Sequence, residues 1–145
     1  MKRVEGWETR LIIYLGERQN MPFRWGWHDC CTFACSGLEV QGIKNPMKGL
    51  RKYKTARGAA SAIRRLGDSL DIVAPMLAAK VGLHEVYPAF AGRGCPVLAN
   101  IETPESNVEL ALGLIGMDGS IALFAGIDRL ISMPLTKCHK AWQFS

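Results

Sequence analysis

Residues 25–33 read Trp25-Gly26-Trp27-His28-Asp29-Cys30-Cys31-Thr32-Phe33, and the rest of the chain organises around them. Asp29 is a good N-cap, because a short carboxylate accepts the free N–H groups of a first helical turn. The helix it opens is expected from Cys30 to about Val40, with Gly42 where a helix-ending glycine belongs. Upstream, Glu5 to Gln19 reads as an amphipathic helix with Trp7, Leu11, Tyr14, Leu15 and Arg18 near one stripe, ended by Asn20-Met21-Pro22. Downstream, Thr55 caps a helix through Leu66, closed by Gly67. A further helical piece falls within Ser69 to Val81, where Pro75 predicts a kink or a new start. Tyr87 to Gly94 reads as a loop.

The pattern then changes. Cys95–Ile101, Leu110–Ile115, Ile121–Ala125, Leu130–Met133 and Ala141–Phe144 read as strands. Thr103 to Asn107 reads as a turn, and Met117-Asp118-Gly119 is a hairpin signal. Helices first and antiparallel strands afterwards predict an α+β fold, with N-terminal helices packed on a C-terminal antiparallel sheet. The 145 residues suit a single domain, 1–145, and the 48% hydrophobic content is enough for one core. No run is long and apolar enough to span a bilayer. The first residues lack the pattern of a secretory signal, so synthesis in the cytosol is expected.

The net charge of +5 is unevenly placed: eight cations and no acid lie between Lys44 and Arg65. Lys48, Arg51, Lys52, Lys54 and Arg57 are the candidate docking residues for an acidic partner, against the plainer reading of a solvated face. Tyr53 is the one aromatic residue among them, which argues against nucleic acid.

Five cysteines are present: Cys30, Cys31, Cys35, Cys95 and Cys138. An odd count in a cytosolically made chain argues against a disulfide framework. A metal or iron–sulfur site drawn from Cys30, Cys35, Cys95 and Cys138, with His139 nearby, is one alternative. Buried thiols that pack as small hydrophobes are the other. No cofactor is expected. Cys30 falls at a helix start, where the dipole and free N–H groups stabilise a thiolate. A thiol so placed is a candidate nucleophile if a base lies within reach.

A helix, then Trp-Gly-x-x-Asp-Cys opening a second helix, then an antiparallel sheet resembles the NlpC/P60 family of papain-like cysteine peptidases. Many of these cut peptidoglycan stem peptides. The likeness is greater to small NlpC/P60-like proteins of phage and prophage tail gene clusters. These show Trp-Gly-x-His-Asp-Cys-Cys, as Trp25 to Cys31 do. They also show Tyr-x-Thr-Ala-Arg-Gly-Ala, here Tyr53 to Ala59, and Pro-Leu-x-x-Cys-x-x-Ala-Trp, here Pro134 to Trp142.

The resemblance implies a papain-like fold with Cys30 as nucleophile, and it implies a departure. The family's base is a histidine in a His-x-Gly-Ile strand, and the matching segment is Ala111-Leu112-Gly113-Leu114. Ala111 cannot accept a proton. Cys95-Pro96 replaces the family's Gly-Asp before a strand. Of the remaining histidines, His28 is the candidate substitute base, or else a brace for its loop. His139 could approach the cleft, while His84 is expected in the helix-to-sheet connector.

Three functions follow as expectations. The first is a virion structural component of the distal tail (tail tip or baseplate), with an inactive domain that contacts hub proteins and aids assembly. The second is a peptidoglycan-cleaving cysteine hydrolase acting at phage entry. The third is a metal-binding tail protein.

Overall fold

The computed structural model describes residues 2–102 and 107–144. Four helices come first: α1 (Trp7–Arg18), α2 (Cys30–Val40), α3 (Ala56–Gly67) and α4 (Leu70–Lys80). Six strands follow: β1 (His84–Val86), β2 (Pro96–Glu102), β3 (Val108–Ile115), β4 (Ile121–Ala125), β5 (Leu130–Pro134) and β6 (Lys140–Gln143). They form one antiparallel sheet in the order β1-β6-β2-β3-β4-β5. The architecture is α+β, with N-terminal helices packed against a C-terminal antiparallel sheet.

The central element is α2. Asp29 and Thr32 close a reciprocal cap: the Asp29 carboxylate accepts from Thr32 N at 2.9 Å, and Asp29 N donates to Thr32 Oγ1 at 2.8 Å. At the other end Gly42 takes φ 93°, and Ile43 N donates to Leu38 O. That pairing satisfies carbonyls the last turn would leave free. The helix buries Cys31, Phe33, Ala34, Cys35, Gly37 and Leu38. Gly37 is required by packing, because a Cβ there would collide with the Leu114 side chain on β3.

Side-chain alternation splits the sheet between two apolar clusters. Leu98, Leu112 and Leu114 face the helices with Phe33, Leu38 and Leu11. Val97, Ala99, Ala111 and Phe124 form the other cluster, joined by Ala91 and Leu135 from the connections. Cys30 packs against both.

Three expectations change. Pro75 starts no new helix: α4 runs from Leu70 to Lys80 with the proline inside. Proline cannot donate to the preceding turn, but Leu70, Val73, Ala74, Leu77 and Ala78 bury the helix and hold it together. His84 is not in a connector. It opens β1, an edge strand of three residues paired only with β6, too short and too exposed to show a period. The loop at Tyr87–Gly94 contains a turn of 3-10 helix at Pro88–Phe90. Of the turn expected at Thr103–Asn107, residues 103–106 lie outside the described residues. The hairpin at Met117-Asp118-Gly119 is present: the Asp118 carboxylate accepts from Ser120 N and Ile121 N, and Gly119 takes φ 81°. No helix among the described residues is long and apolar enough to cross a membrane.

Candidate functional site

The loop before α2 is a closed turn. Arg24 and His28 exchange backbone hydrogen bonds, Arg24 N to His28 O at 3.0 Å and His28 N to Arg24 O at 2.8 Å. Gly26 sits between them at φ 79°, a left-handed conformation that side chains resist. A Cβ at Gly26 would also strike the Tyr53 carbonyl. Gly26 N donates to Asp29 Oδ2 at 2.8 Å, and the Tyr53 phenol lies near the same carboxylate. Burial, then the neighbouring Cys31 and Asp29, push the Tyr53 phenol far above its ordinary value. Asp29 thus ties the loop to the helix start.

Cys30 is the first residue of α2 and is half-buried on the wall of a groove of about 590 Å³. Trp25, Asp29, Tyr53 and Arg57 line the groove, with Asn107 and Glu109 coming from the start of β3. The Cys30 sulfur lies 3.9 Å from that of Cys31. The thiol of Cys31 is held well above its ordinary value by its contact with Cys30 and by burial, and that of Cys35 is pushed up to about 12, chiefly by burial. Chemically, the site offers one accessible thiol beside the amide donors of a helix start.

All three histidines are described, and none lines this groove. His28 is wholly buried behind the loop. Its Nδ1 accepts from Arg18 Nη1 at 2.8 Å, which puts the proton of the neutral ring on Nε2, an atom with no hydrogen-bond partner. Burial and the adjacent guanidinium lower its pKa to about 4. His28 therefore braces the turn through both ring and backbone. His139 lies just before β6, within 3.2 Å of Asn100, and His84 is on the edge strand β1. Ala111 is buried opposite Ala99, in the cluster that Cys30 packs against. No proton acceptor enters from that position.

The cysteines proposed as metal ligands do not converge. Cys35 is buried beneath α2, while Cys95 lies in the second cluster with its sulfur 2.9 Å from Gln143 Oε1. Cys138 contacts the Pro134 carbonyl at 3.8 Å. Among the described residues no group of three or more His, Cys, Asp or Glu is placed to hold a metal ion. Three of the cysteines share α2, but Cys95 and Cys138 lie on the sheet side and do not reach them.

The docking candidates Lys48, Arg51, Lys52, Lys54 and Arg57 are all exposed, on the segment before α3 and on its first turn. Arg57 also reaches the groove. Tyr53, Asn107 and Glu109 line the groove although none of them is among the expected site residues. Tyr53 had a signal in its Tyr-x-Thr-Ala-Arg-Gly segment; the other two had none.

No curated protein and no solved structure matches this chain. Over residues 2–144 it matches the family described as a domain of unknown function, DUF6950, and it belongs to that family.

Proposed function

We propose that this protein is a structural component of the distal tail of a phage particle, at the tip or baseplate. It is built on a papain-like, NlpC/P60-type domain that keeps the fold without the catalytic pair. The carrying observation is the situation of the Cys30 thiol. It opens onto a groove that no histidine lines, and the nearest histidine in sequence, His28, is buried, neutral and held by Arg18. A nucleophilic thiol needs a base within hydrogen-bond reach. The α+β architecture and the helix-initial cysteine support the fold assignment. The exposed cations Lys48, Arg51, Lys52, Lys54 and Arg57 supply a docking face for an acidic hub or tip protein.

The test is genetic. In a phage carrying the gene, the protein is expected in purified particles, deletion is expected to abolish intact tails, and Cys30→Ala is expected to leave assembly and titre unchanged. Complete, infectious particles from the deletion mutant would overturn the proposal.

A second reading, a peptidoglycan hydrolase acting at entry, is favoured by the openness of the groove at Cys30 and by the amide donors of the α2 start, which suit a developing oxyanion. Under it, Cys30→Ala yields complete particles that fail to infect.

A further inference from the structure

The third helix covers less than its sequence offers. Along α3 only Ala59 is buried, while Ala62, Ile63 and Leu66 are half-buried on the face toward the fold. Beneath them is a second pocket of about 210 Å³, whose apolar walls are Met47, Leu50, Ile63, Leu66, Val73 and Leu77. Tyr53, Cys31 and Ile63 line both this pocket and the Cys30 groove, so the two spaces meet behind Tyr53. An engineered cavity of about 150 Å³ accepts benzene, so this volume suits one large apolar side chain. At its rim stand Arg51 and Arg65, both exposed. The surrounding segment from Lys44 to Arg65 holds no acid. The one ion pair among the described residues is elsewhere, between Lys140 and Asp71.

We infer that this pocket is an anchor site for an acidic segment of a partner protein, which inserts one large apolar side chain under α3 while flanking carboxylates meet Arg51 and Arg65. An apolar anchor in a pocket with a charged rim is the form in which protein interfaces concentrate affinity. The charge fixes the partner's sign, because Arg51 and Arg65 form no ion pair among the described residues and are free to pair across an interface. The inference rests on the docking face of the proposed function and names what that face binds.

The experiment uses the purified full chain with methyl-labelled Met, Leu and Ile. Two decapeptides of Asp and Glu are titrated, one with a central Phe and one with Ala there. The Phe peptide is expected to shift the methyl signals of Met47, Leu50, Leu66 and Leu77 and to bind about tenfold or more tighter than the Ala peptide. Ala62→Phe, which fills the pocket, is expected to erase that difference. The surface double variant Arg51→Glu/Arg65→Glu is expected to weaken both peptides and to reduce the salt dependence of binding. Equal affinity of the two peptides, or shifts away from the pocket, overturns the inference. So does displacement of the Phe peptide's role by dodecanoate, if the fatty acid alone fills the pocket and the peptide does not. The assay needs no virion. Anchored peptide binding with a dispensable gene sinks the tail reading alone, and essential assembly with equal peptide affinities sinks the pocket alone.

Discussion

Arg18, in the last turn of α1, donates to Nδ1 of His28 across 2.8 Å and so joins the first helix to the loop that precedes Cys30. The contact requires a neutral imidazole, because protonated Nδ1 would face the guanidinium with no lone pair to offer. Burial and Arg18 together hold the His28 pKa at about 4, against the partial opposition of Asp29. In the unfolded chain the group titrates near its ordinary value of about 6.5.

Stability is therefore expected to depend on pH in a defined window. Between about 6.5 and about 4 the unfolded state binds more protons than the folded state, so stability falls as the pH falls. The contribution is complete above about 6.5 and is lost progressively toward 4, with a total of about 3 kcal/mol. Urea denaturation at pH 7.5, 5.5 and 4.5 measures it. His28→Gln is expected to flatten the slope across this window, and an unchanged slope in that variant would refute the assignment.

The Asp29 carboxylate accepts from two backbone amides on either side of it in the chain, Thr32 N and Gly26 N, with the Tyr53 phenol nearby. Loss of an N-cap costs about 1 kcal/mol, and each buried donor left unpaired costs about 1–3 kcal/mol more. Asp29→Ala is expected to lower stability by about 3 kcal/mol or more. Asp29→Asn keeps one acceptor oxygen and is expected to lose about half as much. Thermal unfolding of the two variants beside Tyr53→Phe compares the cap with the neighbouring phenol, with Tyr53→Phe expected to be the mildest.

Gly37 lies where α2 crosses β3, and a Cβ there would meet Leu114. Overpacking of this kind costs about 1–3 kcal/mol. Gly37→Ala is expected to destabilise by that amount although alanine is the better helix former. Gly37→Ala/Leu114→Val, which removes a methylene at the point of conflict, is expected to recover part of the loss. Chemical denaturation of the single and double variants reads the coupling.

What the sequence disclosed follows from how local each determinant is. The cap at Asp29, the end at Gly42 and the Asp118-Gly119 hairpin are decided by residues within five positions of one another, and all are legible. The course of α4 through Pro75 is not local, since burial of Leu70, Val73 and Leu77 against the rest of the fold overrides the proline. The site divides in the same way. Cys30 at a helix start was legible from its own neighbours. Glu109 and Asn107 reach the groove only because β3 crosses beside α2, a relation between residues some eighty positions apart. The burial of His28 was equally hidden, since it depends on Arg18 arriving from α1.

The five cysteines differ in surroundings, and those differences predict an order of reaction. Cys31, Cys35 and Cys95 are buried, whereas Cys30 and Cys138 are half-buried. Burial pushes the Cys138 thiol up to about 11, which leaves it almost wholly protonated at pH 8. Cys30 opens onto the groove at the start of α2, where a reagent can reach its sulfur. Brief treatment of the native protein with iodoacetamide at pH 8 is expected to alkylate Cys30 first and Cys138 slowly. Cys31, Cys35 and Cys95 are expected to react only after unfolding. Peptide mass spectrometry of timed samples reads the order. Labelling of Cys31 as fast as Cys30 would mean that the first turn of α2 opens readily and that the cap at Asp29 does not hold it.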